Sequence, residues 1–374
     1  MMKRKWMGMI LLISILLMSC GVQNPVETEN GSGMEPQEKS IKEGMPNEVK
    51  TKTSMEEVGR YSSPTKAAVG DDGEFYFVEV QNDSCTVHIF NSEEQQIGTV
   101  TLKTGYDLFG VEVKQGRVLL FTYNNDYEKA LLYHYVMETN VVEEYAIPWH
   151  EEYIVYKDSI YFSTEAENDP MIIKTNFKGE VEKKIQLVED LFDFSMKLIY
   201  QDRIYIQDLI GARSIIDDGV VYSMNLDGSD WKEIDLGKKF KGKYGYSFDA
   251  SGGYIYMTIS TDIVGDPCSL YRFAIDGNEL ELVAQSEKID EFAIGKDAIF
   301  YITNDNYTTI YSVNRKTGEE QEFKQIEIDD AKRMANALMV SEDSLIIQTV
   351  EYDNFDFANL MKVGNEEFIV VPQE

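Results

Sequence analysis

Carboxylates, amides and aromatic rings recur together along this chain, and what they could do depends on whether the fold gathers them. Asn82-Asp83, Asn124-Asn125-Asp126-Tyr127, Glu167-Asn168-Asp169, Asp217-Asp218, Asp262 with Asp266, Asn304-Asp305-Asn306-Tyr307 and Tyr352-Asp353-Asn354-Phe355-Asp356 each lie between two β-rich runs. Trp149-His150, Tyr106, Phe192, Phe194, Tyr244 and Tyr246 fall in a second set of connections. Rings stack on sugars while acids and amides bond hydroxyls, and oxygen-rich loops can hold a hard cation. The same residues also have a plain structural use, since Asn and Asp suit turns and rings fill gaps between sheets. No Asp-x-Asp-x-Asp-Gly spacing marks a dedicated calcium loop, so no metal site is assigned.

For catalysis the inventory is thin. There is no Gly-x-Ser-x-Gly elbow, no His-Glu-x-x-His pair and no phosphate-cradling glycine loop. His88 and His134 fall within β-rich runs and read as packing or surface residues, which leaves His150, beside Trp149, as the histidine in a loop. Asn225 to Trp231 has Asp and Gly adjacent, the wrong spacing for a sialidase Asp-box. No catalytic residue and no cofactor is assigned. Paired carboxylates working on a glycan remain as the alternative, because acids are abundant.

Composition excludes other classes. The chain has 374 residues, 66 acidic against 35 basic, and a formal charge of −31, so nucleic acid and anionic lipid surfaces would be repelled. Three cysteines and three histidines argue against a disulfide scaffold or a His/Cys zinc site.

The first residues carry an address. Lys3, Arg4 and Lys5 precede an apolar run from Met7 to Met18, too short to span about 30 Å of hydrocarbon comfortably. Leu17-Met18-Ser19-Cys20 resembles a bacterial lipobox, which implies cleavage before Cys20 and lipid attachment to its thiol. Residues 1–19 then form a signal peptide, and 20–54, rich in Glu, Asn, Gly, Pro, Ser and Lys without aromatic residues, a disordered tether. About 34 such residues have a root-mean-square reach on the order of 30 Å. The expected location is extracytoplasmic, anchored to the membrane through Cys20, with a lean toward a Gram-positive surface.

Residues 55–374 repeat one pattern. A polar turn followed by a β-rich run occurs around Phe75, Val118, Ile160, Ile204, Ile255, Ile299 and Leu345, at steps of 42 to 51 residues. A second alternating run ending in a turn follows each, most clearly Val220 to Gly228 and Ser269 to Gly277, where Asp-Gly signals a hairpin. With the runs before and after, each unit has four strands, named A to D. Four-stranded units at this period, without helices, predict an all-β fold, a seven-bladed β-propeller of four-stranded antiparallel blades. The seventh copy has a shortened third strand at Asn359–Gly364.

Ser269 to Gly277 and Val220 to Gly228 resemble the repeats of low-density lipoprotein receptor-type and TolB-like propellers, and more closely a family of uncharacterised clostridial lipoproteins. The receptor-type Tyr-Trp-Thr-Asp is replaced here by Tyr161-Phe162-Ser163-Thr164 and Tyr256-Met257-Thr258-Ile259. The resemblance implies a fold and not a ligand.

In a propeller the B–C and D–A loops share one face around the axis. That face would collect Asn125, Asp126, Tyr127, Trp149, His150, Asp169, Arg213, Asp218, Asp266, Asn304, Asp305, Tyr307, Asp353 and Phe355 as the candidate binding face. The expected function is a non-enzymatic, monomeric binding or scaffold module for a protein or glycan. The long fourth B–C loop, Gln207 to Gly219, carries Leu209, Ile210, Ile215 and Ile216, which suits either a protein contact or a fold-back on the neighbouring blade. Cys85 and Cys268 fall in blades nearly opposite each other, too far apart for a bridge.

Overall fold

The computed structural model describes residues 58 to 372 except for several connections, among them 124–129, 165–169, 209–214, 217–219, 261–267, 305–307 and 352–366. Within these, the chain forms six blades of four-stranded antiparallel sheet, each meandering from an inner strand A to an outer strand D. Their inner strands are Ala67–Val69, Asp107–Lys114, Glu152–Tyr156, Phe194–Tyr200, Lys243–Ser251 and Glu291–Ile294.

The expectation of seven four-stranded blades is therefore corrected. The last repeat gives a three-stranded sheet of Arg333–Val340, Ser344–Glu351 and Glu367–Pro372. Its third described strand is Glu367–Pro372, pairing Leu345 with Val371 and Ile347 with Ile369; the expected strand at Asn359–Gly364 lies outside the described residues. Phe368 to Val371 is an aromatic and β-branched run, which suits a ladder position.

Burial follows radius. In blade two, Arg117–Tyr123 is buried from Val118 onward and Ala130–Val136 almost throughout, whereas the outer Val141–Ile147 is mostly exposed. The middle strands are apolar on both sides because a neighbouring blade covers each face. Among the described residues six apolar clusters lie between successive sheets, from Tyr76 with Val118 between blades one and two to Ile302 with Leu345 between blade six and the last sheet. Each blade thus buries its apolar surface only against the next.

Two short strands depart from the simple repeat. Val58–Arg60 pairs antiparallel with the inner strand of blade four and lies against the inner strands of blades three and five, which puts it at the axis. Ile215–Ile216, inside the fourth B–C loop, pairs with Tyr244 and Lys243 of blade five, so this loop folds back on its neighbour. Cys85 and Cys268 are buried and stand in blades one and five, as expected.

Candidate binding face and the inner-strand bulges

Strand pairing defines the two faces. Glu291 pairs with Ile302 where strand A begins, and Asn304 pairs with Thr308 where strand B turns into strand C, so both connections leave from the same edge of blade six. The A–B turns, such as Gln201-Asp202, leave from the opposite edge.

Of the fourteen candidate face residues, Asn125, Asp126, Tyr127, Asp169, Arg213, Asp218, Asp266, Asp305, Tyr307, Asp353 and Phe355 lie outside the described residues, as does Cys20. Asn304 is placed by its backbone at the B–C end of blade six. Trp149 and His150 are described fully, in the connection that enters blade three.

Trp149 is 44% exposed and rests on Tyr123, with ring centroids 5.0 Å apart. His150 is buried beneath it among Phe109, Tyr123, Tyr153 and Phe162, its ring centroid 4.5 Å from that of Phe162. Tyr123 Oη donates to the His150 carbonyl at 3.2 Å, and His150 Nδ1 lies 2.9 Å from the Pro148 carbonyl. A neutral ring donating from Nδ1 fits this carbonyl, and burial pushes the imidazole down to about 4, only partly opposed by that bond. His150 is thus packed as a neutral ring in the aromatic cluster, against the same Tyr123 ring on which Trp149 rests.

Sequence reasoning missed a second group, at the loop-side ends of the inner strands. Four inner strands carry bulges, at Phe109, Lys197, Tyr246-Ser247 and Asn336. A bulge breaks the ladder and leaves backbone groups to be satisfied by side chains. At blade four, Met196 N donates to Glu152 Oε2 of blade three at 2.7 Å, and Ser195 Oγ donates to Glu152 Oε1 at 2.6 Å. At blade five, Ser247 N donates to Thr258 Oγ1 at 3.1 Å, and Ser247 Oγ donates to Glu291 Oε2 of blade six, also at 3.1 Å. Glu152 and Glu291 occupy the same place in their repeats, at the head of Glu-Tyr-Ile-Val and Glu-Phe-Ala-Ile. That shared acid was the legible signal; the bulges that give it work were not.

The same region holds unusual charges. Lys197 is buried, with Nζ 5.8 Å from the Phe248 ring centroid; burial pushes it down to about 8 while the Glu152 carboxylate pulls it up. Burial pushes Glu291 up to about 7 against the Ser247 hydroxyl, with Asp290 adding to the rise. Gln207 is fully buried, and both polar atoms of its amide lack a hydrogen-bond partner among the described residues. It packs on Gly245 so closely that a Cβ there would lie 2.8 Å from Gln207 Nε2. Tyr246, within the blade-five bulge, is 43% exposed and stacks on Tyr244 with centroids 6.5 Å apart. This face thus offers exposed rings above a polar layer in which Glu152 and Glu291 are hydrogen-bonded and the Gln207 amide, among the described residues, is not. Among the described residues no group of three His, Cys, Asp or Glu side chains could hold a metal ion.

Neither a family model nor a curated protein matches the chain. Solved structures do. Oligogalacturonate lyase from Vibrio parahaemolyticus is 13% identical with a TM-score of 0.54, over 86% of this chain and 92% of that one. The β-propeller domain of the Trilobed protease from Pyrococcus furiosus, described as having an open velcro topology, is 11% identical with a TM-score of 0.51, over 83% and 95%. An acylaminoacyl peptidase in complex with a chloromethyl ketone is 15% identical with a TM-score of 0.51, over 79% of this chain and 51% of its own, so the chain spans about half the length of that peptidase. At these identities the likeness shows the propeller fold alone.

Proposed function

We propose that this chain is an extracytoplasmic propeller, anchored in the cell membrane by a lipid on Cys20, that binds a protein or glycan on its loop face without making or breaking bonds. The observation that carries the reading is occupancy of the axis. A propeller glycosidase needs an open polar cleft in which two carboxyl groups about 5–10 Å apart flank the substrate. Here the inner strands of blades three, four and five close on Val58–Arg60. The two carboxyl groups at the inner-strand heads, Glu152 and Glu291, are each engaged with a serine of an adjacent blade. What the face presents outward is aromatic surface, Trp149 and Tyr246, of the kind that stacks on sugars or anchors a protein contact.

The test uses the chain from Cys20 onward, offered to a glycan array and to detergent-solubilised membranes. One retained glycan class or one stoichiometric protein is expected, lost in Trp149→Ala while circular dichroism stays unchanged. Turnover of an oligosaccharide that disappears in Glu152→Gln or Glu291→Gln, with folding intact, would overturn the reading in favour of an enzyme.

A further inference from the structure

We infer that Val58–Arg60 orients the propeller on its anchor, turning the face of the A–B and C–D turns toward the membrane and the loop face toward the partner. The inference rests on the anchored reading above and adds a direction to it.

The direction comes from register. Strand A of blade four runs from Phe194, on the loop side, to Tyr200, next to the A–B turn at Gln201-Asp202. Val58–Arg60 runs against it, with Val58 opposite Tyr200 and Arg60 opposite Leu198. The chain therefore reaches Val58 from the turn face and climbs toward the loop face. Val58 is held there by packing on the cluster of Leu198, Tyr200, Phe248 and Ala250 between blades four and five. The tether thus joins the ring at its axis, on one chosen side.

Geometry makes the opposite pose costly. A blade of four strands at about 4.8 Å spacing and about seven residues per strand implies a disc roughly 20 Å in radius and roughly 23 Å thick. To bring the loop face to the membrane, the tether would have to run from the axis to the rim and then down the thickness of the disc, a path of about 43 Å. That is about 1.4 times the root-mean-square reach expected of a tether of some 34 residues, on the order of 30 Å. The turn face, like the loop-side ends of the inner strands, is bonded across blades: Lys157 Nζ meets Asp202 Oδ1 at 2.6 Å between blades three and four, Gly253 N donates to Tyr200 Oη at 2.9 Å between four and five, and Arg315 donates to Ser251 Oγ at 2.8 Å between five and six.

The experiment separates direction from anchoring. The chain from residue 20 onward, with an N-terminal histidine tag, is held on vesicles of phosphatidylcholine containing nickel-chelating lipid and an acceptor-labelled lipid. A donor dye is placed at Lys316→Cys, on the turn face, or at Lys241→Cys, in the connection between blades four and five on the loop face. The turn-face dye should sit nearer the lipid by about the disc thickness of 23 Å, giving at least about twofold greater energy transfer. Val58→Asp, which unseats the strand, should bring the two values together. Equal transfer from both sites in the parent chain, or the reverse order, would refute the orientation whatever the natural anchor is. Anchoring is judged apart, by mass spectrometry of Cys20 in the full-length protein and by release of Cys20→Ser from membranes; its failure would remove the lipid from the proposed function and leave the measured direction standing.

Discussion

Glu152 joins two blades with one carboxylate, accepting from Ser195 Oγ and from Met196 N, and it is also the counter-charge that moderates the burial of Lys197. Bonds to a charged acceptor contribute about 1.5–3 kcal/mol each. Glu152→Ala should therefore lower stability by about 3–5 kcal/mol, because it also leaves a buried ammonium less compensated, while Glu152→Gln should lose less. Urea unfolding of both variants beside Ser195→Ala checks this, and equal losses for Ala and Gln would contradict it. Two other groups titrate in opposite senses. His150 binds fewer protons folded than unfolded between about pH 4 and 6.5, so its contribution to stability rises with pH across that window, by about 3 kcal/mol in total. Glu291 binds more protons folded than unfolded from the ordinary glutamate range up to about 7, so its contribution falls as pH rises through that range. The windows overlap, so these two contributions should partly offset each other in the parent chain. His150→Gln should remove the rising component and Glu291→Gln the falling one; stability profiles parallel to the parent would show that neither group senses the fold.

The hairpins show what one element asks of one glycine. Gly228, in the Asp-Gly turn of blade four, has φ +83°, and a Cβ there would lie 2.5 Å from Ile185 Cγ2 on the outer strand of blade three. Gly277 meets Ile234 of blade four in the same way, its Cβ position 2.8 Å from Ile234 Cγ2. Gly318 has φ +71° but open space around it. Gly318→Ala should lose only the backbone term, about 1 kcal/mol, and Gly228→Ala that plus overpacking, about 2–4 kcal/mol in all. Denaturation midpoints of the pair test whether the turn glycine also spaces the blades; similar losses would deny it. The turns themselves were legible, since Asp-Gly between alternating runs has few other uses. Their second duty was not, because the contact is with a residue about 43 positions away, Ile185 against Gly228 and Ile234 against Gly277. Trp149 and His150 were placed in the right connection, but the burial of His150 came from Phe109, Tyr123, Tyr153 and Phe162, which no local pattern brings together.

For the whole molecule, periodicity foretold the propeller and miscounted its four-stranded blades. A repeat can be recognised by its two best strands, and Ser344–Glu351 with its preceding run met that test although the sheet they belong to has three strands among the described residues. Nothing in Val58-Gly59-Arg60 announces a strand, yet it pairs with Leu198 to Tyr200 at the axis. Val58→Asp should raise amide exchange in the inner strand of blade four well before it changes that in blades one and two. Uniform protection loss would instead mean that the ring opens as one unit.

The pairing of Ile215–Ile216 with Lys243 and Tyr244 has a bearing on how such a ring can change over time. A stretch of chain from within the repeat of blade four is stitched into blade five. Loss of blade four alone would take Ile215–Ile216 from the sheet of blade five, and loss of blade five alone would leave that strand without its partner. Blades four and five are therefore coupled in any such change, whereas the sheets of blades one, two, three and six contain only their own segments.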